Sequence, residues 1–135
     1  MEDRIRESFA RQSLMATLGA ELVEVAPGRV TVAAPLLPGF RQQQGAGHAG
    51  VTFALGDTAA GYAALSVMPE GREVLTVEMK INLLSPAVGW RLIATGEVLR
   101  AGRRLLVVRA AVAAERDGAT VTVAELLGTM IPVDG

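Results

Sequence analysis

The stretch "QQQGAGHAGVTFALGDTAAGYAALSVMP", residues 42–69, decides the fold of this chain. Its only formally charged side chain is Asp57, and the chain's only histidine, His48, stands near its start. Glycines in the first part predict a loop over 38–50, and an almost wholly apolar run follows. We interpret that run, from about Ala49 to Val67, as one long helix that is buried on most sides.

Residues 49–69 are also long and apolar enough to suggest a membrane span. In such a span Asp57 would lie near the centre of the bilayer, at a cost of about 2.5–3.5 kcal/mol. Threonines and three glycines weaken this alternative further, and no second run of this kind follows. We therefore expect a buried helix in a soluble protein with no membrane partner.

The composition narrows the class of protein. At 135 residues the chain has the size of one domain, and we expect a single domain over 1–135. A net charge of −1 gives no electrostatic case for binding nucleic acid. Without cysteines, and with one histidine, neither a disulfide nor a metal site is expected. The charged start "MEDRIRESFARQ" lacks the apolar region of a signal peptide, so we expect a cytoplasmic location.

The segments around the central helix predict one more helix and six strands. Apolar residues recur at helical spacing over 3–18, and 20–36 alternates around a Pro27-Gly28 turn, which indicates a hairpin. The later strands are predicted over 73–87, 90–100, 104–115 and 119–131, joined by the turns "PAVG", "RAGR" and "RDGA".

Strict alternation in the strand "EVLTVEMKINLLSPA" predicts two faces. The first face comprises Leu75, Val77, Met79, Ile81 and Leu83, and the second comprises Val74, Thr76, Glu78, Lys80 and Asn82.

This order of elements predicts an α+β fold in which one antiparallel sheet curls around the long helix. A helix that is apolar nearly all round needs cover on most sides, and a single sheet leaves part of it open. We therefore expect a partner chain to cover the rest.

Asp57 is the strongest candidate for chemistry. A carboxylate within an apolar helix is costly unless it is paired, hydrogen-bonded or functional. Burial would raise its pKa toward the range of a general base. A structural bond to the backbone or to a basic side chain explains the residue equally well, so the residue type alone leaves both roles open.

His48 precedes the helix, and a lone histidine there is more often a structural cap than a catalytic group. The sequence "GAGHAG" leads into a helix N-terminus, where free N–H groups point outward with a partial positive charge. Such a terminus can bind an anion or stabilise a developing oxyanion.

The pattern Gln42-x-x-Gly45-x-x-His48-Ala49-Gly50, followed by Asp57, resembles the hotdog-fold acyl-CoA thioesterases of the phenylacetate-degradation (PaaI-like) type. Their motif is Asn-x-x-Gly-x-x-His-Gly-Gly, with an aspartate nine residues after the histidine, as here. The segment "TVEMKINLLSPA" also resembles the strand after that family's central helix, and the resemblance extends over residues 20–131.

The resemblance implies hydrolysis of an acyl-CoA thioester, with no cofactor besides the coenzyme A of the substrate. Asp57 would be the general base or the nucleophile, and the N–H of Ala49 would polarise the carbonyl. His48 would shape that loop, and Thr76 falls where the family has a serine or threonine near the attacking water.

Two departures from the family motif concern the carbonyl end. Gln42 replaces the asparagine, which keeps the amide and adds a methylene group. Ala49 replaces the first glycine. This change keeps the backbone N–H as a donor, but the added methyl group narrows the approach to the substrate carbonyl.

Other residues are candidates for substrate contacts. The walls of an apolar acyl pocket are expected to include Phe53, Met79 and Leu83, and Gly50 is expected to contact the substrate. Arginine suits phosphate because its fork donates two hydrogen bonds at once. Three arginines at loop edges are therefore candidates for the phosphates of coenzyme A, although each could equally be part of a solvated turn: Arg72, Arg103 and Arg104.

Helix geometry predicts that each site is shared between two chains of a homo-oligomer, either a dimer or a dimer of dimers. Ala49 and Asp57 are eight residues apart, which is about 12 Å along one helix. Two alternatives remain. A non-catalytic acyl-CoA binder on this fold would not need Asp57, and a hotdog dehydratase uses a histidine and an acid at another spacing.

Overall fold

The computed structural model describes all residues 1–135. Two short helices open the chain, two strands follow, and a long helix precedes the last four strands. The elements are α1 (Glu2–Ala10), α2 (Ser13–Leu18), β1 (Glu21–Ala26), β2 (Arg29–Pro35), α3 (Ala49–Ser66), β3 (Arg72–Leu83), β4 (Arg91–Ala101), β5 (Leu106–Arg116) and β6 (Ala119–Asp134). This order confirms the α+β class and the predicted central helix, which ends one residue before Val67.

The six strands form one antiparallel sheet in the order β1-β2-β4-β5-β6-β3. Alternate residues of β5 point to the buried face, and they are the apolar Leu106, Val108, Ala110, Val112 and Ala114. The helix α3 packs against this face of the sheet. The sheet therefore covers most of the apolar surface of the helix. No helix of the structure is long and apolar enough to cross a membrane.

A close approach between helix and sheet lies where β4 passes α3. A Cβ atom placed on Gly96 would lie 2.3 Å from the carbonyl carbon of Ala59 and 2.4 Å from the nitrogen of Ala60. Both alanines are fully buried. The strand backbone therefore touches the helix backbone, and only glycine at 96 permits this depth of packing.

The prediction of one opening helix over 3–18 is wrong, because the helix breaks near Gln12. This residue is extended (φ −84°, ψ 96°) and serves as the N-cap of α2. Its side chain donates to the Tyr62 hydroxyl at 3.1 Å and accepts from the Thr58 hydroxyl at 3.3 Å, both on α3. These bonds tie the break to the central helix. The loop over 38–50 likewise contains one regular turn, the 3₁₀ helix Pro38–Phe40.

The predicted faces of β3 are also wrong over half of its length. The register with β6 shifts between Thr76 and Glu78, and Val77 is the extra residue of this β-bulge. Before the bulge, Val74 and Thr76 face the helix, and after it Met79 takes over that face. Leu75 and Val77 are instead exposed, at 56% and 57%. A strict two-residue alternation cannot anticipate a bulge, because the extra residue exchanges the buried and exposed positions beyond it.

We expect Gly96→Ala to destabilise the fold strongly, since its methyl group would meet the rigid backbone of Ala59. Overpacking of a core costs about 1–3 kcal/mol, and backbone that cannot yield puts this variant at the upper end. Gly39→Ala is the matched control, because nothing lies within 4 Å of a Cβ there. The free energies of unfolding in urea provide the measurement, and equal values for the two variants would contradict the close contact.

Candidate active site

One stripe of α3 is left without full cover by the chain's own sheet. Its residues recur every three or four positions and are exposed or half-buried: Gly50, Phe53, Ala54 and Asp57. The only carboxylate of the helix therefore lies on its open side.

Asp57 is held by the strand β3. The hydroxyl of Thr76 donates to Asp57 Oδ1 at 2.7 Å, and the hydroxyl oxygen of Thr76 also lies 3.1 Å from Met130 Sδ. Burial raises the pKa of Asp57 above its usual value of 3.8, and the hydrogen bond from Thr76 offsets part of this rise. The bond from Thr76 orients the Asp57 carboxylate, and burial makes it accept a proton more readily than a solvated carboxylate does.

Asp57 lines a cleft of about 250 Å³ whose other walls are largely polar. Apart from Thr76, the sequence did not indicate these neighbours. Gln12 connects Thr58 to Tyr62, and Ser8 Oγ lies 3.1 Å from the Tyr62 hydroxyl. The i,i+4 spacing of Thr58 and Tyr62 on the helix was the one available signal. Their contacts with α1 and Gln12 depend on a tertiary arrangement that no spacing shows.

His48 is the N-cap of α3. Its Nδ1 accepts a hydrogen bond from the N–H of Gly50 at 2.8 Å, which leaves the ring hydrogen on Nε2. A Cβ on Gly50 would lie 2.9 Å from this Nδ1, so the second glycine of the motif makes room for the cap. The histidine thus defines where the helix begins.

Ala49 presents the one free N–H of the first turn of α3. The N–H of Gly50 is bonded to His48 Nδ1, and those of Val51 and Thr52 donate to the carbonyl of His48 at 2.9 and 3.3 Å. The N–H of Ala49 has no acceptor within the chain. Ala49 is exposed, so this donor is available to an oxyanion or carbonyl oxygen.

Ala49 lines a second cleft, of about 380 Å³, together with Gln42. The amide oxygen of Gln42 accepts from the N–H of Gln44, and the backbone N–H of Gln42 donates to Ala46 at 2.8 Å. The side-chain oxygen of Gln42 therefore stabilises the loop to which Gln42 belongs. Its amide nitrogen makes no hydrogen bond to the chain.

The two clefts are separate within one chain. They share no lining residue, and α3 is continuous from Ala49 to Ser66. The eight residues between Ala49 and Asp57 thus correspond to about 12 Å along the helix axis. One chain does not bring the free N–H and the carboxylate to one reacting atom.

The predicted pocket walls fall into two groups. Leu83 lines the cleft of Ala49 and Gln42. Phe53 and Met79 are half-buried and pack against the core.

None of the three arginines lines either cleft. The guanidinium of Arg72 donates to Asp134 Oδ1 at 3.2 Å and to the carbonyl of Pro132 at 3.1 Å, so its fork is engaged. Arg103 and Arg104 are exposed in the turn between β4 and β5. Arg103 lines a cleft with Val67, just past the C-terminal end of α3.

Comparison with known proteins assigns the family. The model of the Thioesterase superfamily matches residues 44–125, and the chain belongs to this family. A thioesterase family protein from Silicibacter pomeroyi is 43% identical, with a TM-score of 0.97 over 99% of this chain and 98% of that one. A Saccharolobus solfataricus protein named as a candidate esterase is 31% identical over 80% of this chain and 79% of its own length.

The PaaI protein of E. coli, from the phenylacetic acid degradation operon, shares the fold. It is 22% identical, with a TM-score of 0.86 over 96% of this chain and 91% of that one. These findings confirm the hotdog fold and the PaaI-like resemblance, and they identify the chain as a thioester hydrolase.

We expect Asp57→Asn to stabilise the protein at neutral pH. Because burial raises the pKa of Asp57, the stability from this group is fully present below the pKa of the unfolded state and is lost as the pH rises through the folded pKa. Asparagine stays neutral at every pH. Its advantage in the free energy of unfolding, measured in urea, should shrink toward zero as the pH falls below 3.8, the usual value.

Glu70→Gln, at an exposed position of the chain, is the control for the removal of one carboxylate charge. An Asp57→Asn variant less stable than the wild type at neutral pH would contradict the account of Asp57 as a carboxylate destabilised by burial.

Proposed function

We propose that the protein hydrolyses acyl-CoA thioesters to the free acid and coenzyme A. The observation that carries this proposal is the pair of groups on α3. One is the free N–H of Ala49 at the helix start, and the other is the half-buried carboxylate of Asp57. Hydrolysis of a thioester needs a donor for the carbonyl oxygen and a base or nucleophile for the carbonyl carbon.

The thioester carbonyl is assigned to the N–H of Ala49. As water or a carboxylate adds to the carbonyl carbon, its oxygen becomes an anion. A fixed backbone donor at the positive end of a helix stabilises that charge. The imidazole and the carbonyl of His48 accept the other N–H groups of the first turn, so the N–H of Ala49 is the donor that remains free. The amide nitrogen of Gln42 is the further donor in that cleft.

Asp57 acts by one of two routes. As a general base it takes a proton from water, the hydroxide adds to the carbonyl, and the C–S bond breaks to release coenzyme A as a thiolate that regains a proton. As a nucleophile its carboxylate displaces the thiolate and forms an anhydride, which water then hydrolyses. The raised pKa of Asp57 supports the first route, and the bond from Thr76 fixes one oxygen in either.

Two chains related by a two-fold axis would unite the two clefts. The edge strand β3 is twelve residues long and carries exposed apolar side chains, including Leu75 and Val77. Such an edge is a template for pairing with a second chain. In an antiparallel pair of β3 strands, the Leu83 end of one strand meets the Glu73 end of the other. Leu83 lines the cleft of Ala49 and Glu73 lines the cleft of Asp57, so each N–H would face the partner's carboxylate.

A non-catalytic acyl-CoA binder is the alternative function. It would use the cleft of Ala49 equally well and would leave Asp57 without a role. A carboxylate held in a site that raises its pKa is unfavourable for folding, which favours the enzyme over the binder.

We expect Asp57→Asn and Ala49→Pro each to abolish hydrolysis and to complement one another. The first removes the charge, which should lower kcat by about 10²–10⁴-fold, and the second removes the free N–H. After joint unfolding and refolding, half of the dimers would be mixed, and each would hold one intact site. Recovery of about a quarter of full activity is therefore expected, measured as thiol released from a panel of acyl-CoA esters.

The proline variant should fold, since proline at the first helical position loses no bond here and the preceding His48 is already extended (ψ 136°). Mixed dimers without recovered activity would overturn the shared site. Full activity of Asp57→Asn alone would overturn the assignment of Asp57.

We expect Arg103→Ala combined with Arg104→Ala to raise the KM for an acyl-CoA ester. The paired guanidinium groups are proposed to bind a phosphate of coenzyme A. Hydrolysis of the matching S-acyl-N-acetylcysteamine, which lacks the nucleotide, should be unchanged. The exposed Arg11→Ala is the control, and equal losses with both thioesters would argue against a phosphate contact.

A further inference from the structure

The cleft at the start of α3 contains a second polar group that the chain leaves without a partner. Thr52 lines this cleft with Ala49 and is only 1% exposed. Its hydroxyl oxygen is buried and makes no hydrogen bond. A buried polar atom without a partner costs about 1–3 kcal/mol, so such atoms are rare in folded proteins.

The cap of the helix explains why the hydroxyl has no partner. A threonine within a helix commonly donates to the carbonyl four residues earlier, which for Thr52 is that of His48. That carbonyl already accepts from the N–H groups of Val51 and Thr52. Valine has the same shape and would fill the position without a buried hydroxyl. The cleft therefore contains a polar group that does not stabilise the fold.

The unpaired hydroxyl and the unpaired N–H belong to one turn of helix. Ala49 and Thr52 are three residues apart, which is about 4.5 Å along the axis. A ligand that satisfies both needs two oxygens at a similar separation. In an acyl group, the carbonyl oxygen and an oxygen on the third carbon are joined through three carbon atoms. With C–C bonds of about 1.5 Å they lie roughly 3–5 Å apart.

The rest of the cleft suits the carbon chain of such a group. Leu83, Leu84 and Val123 form apolar walls, and the cleft volume is about 380 Å³. Polar groups on the helix side and apolar groups on the strand side are what a short oxygenated acyl chain requires.

We propose that Thr52 makes this protein selective for acyl groups that carry a hydroxyl or keto oxygen on the third carbon. The proposal rests on the assignment of the carbonyl to Ala49 in the proposed thioesterase function. A site that hydrogen-bonds a substrate oxygen discriminates against the analogue lacking it, because only the oxygenated acyl group gives the buried hydroxyl of the protein a partner.

The test compares 3-hydroxybutanoyl-CoA with butanoyl-CoA, which differ by one hydroxyl group. The wild type should prefer the first by about 10- to 100-fold in kcat/KM, the range that one unpaired buried group implies. Thr52→Val should abolish this preference by bringing kcat/KM for 3-hydroxybutanoyl-CoA down to that for butanoyl-CoA, whereas Thr52→Ser should keep the preference. Thr17→Val, an exposed threonine of α2, is the matched control.

A structural role for the hydroxyl predicts a different result. Thr52→Val would then lower the melting temperature and reduce the hydrolysis of both esters alike, and that outcome overturns the proposal. We expect the valine variant to melt at the same temperature as the wild type or higher, because it removes an unsatisfied group.

Measurements of binding distinguish a failure of the Thr52 proposal from a failure of the proposed hydrolysis. In the Asp57→Asn background, titration calorimetry should give a lower Kd for 3-hydroxybutanoyl-CoA than for butanoyl-CoA, and adding Thr52→Val should equalise the two values. This preference in binding supports the role of Thr52 even if the wild type hydrolyses neither ester, a result that would count against the thioesterase. Equal Kd values before Thr52 is changed overturn the role of Thr52, whatever the hydrolysis assay shows.

Discussion

The contact between Gly96 and the backbone of Ala59 and Ala60 is the constraint on which the rest of the molecule depends. It fixes how deeply α3 lies against the sheet. At this depth the strands cover the alanine side of the helix, and the opposite side keeps a narrow open stripe. That stripe contains Asp57 and the free start of the helix. A helix packed higher on larger side chains would leave more of its surface open and would lift Asp57 away from Thr76.

Most of the fold could be predicted from the sequence, because its main elements have simple periods. The apolar run over Ala49–Ser66 is too long for a strand, and the alternation in β4, β5 and β6 is nearly unbroken. The predictions failed where a tertiary bond overrides a local pattern. Gln12 leaves the helical conformation and bonds two side chains of α3, and Val77 inserts one residue into an otherwise regular strand.

The candidate site was predictable to a different extent for each residue. Asp57 is conspicuous in the sequence because it is the only charge within an apolar run. The cap at His48 followed from its position before that run. Thr52 carried no such signal, because a threonine within a helix is ordinary until its surroundings are known. Its hydroxyl lacks a partner because two N–H groups already use the carbonyl of His48, which is a property of the folded chain.

The bulge at Val77 divides β3 into two segments with separate tasks. The segment before it anchors Asp57 through Thr76, and the segment after it ends at Leu83, beside the start of the helix. Because the extra residue absorbs a change of phase, the two segments need not share one alternation. The outline of the cleft beside Ala49 can therefore change through the second segment while the carboxylate keeps its hydroxyl partner. In the proposed thioesterase, chemistry and selectivity would in this way be separable within a single strand.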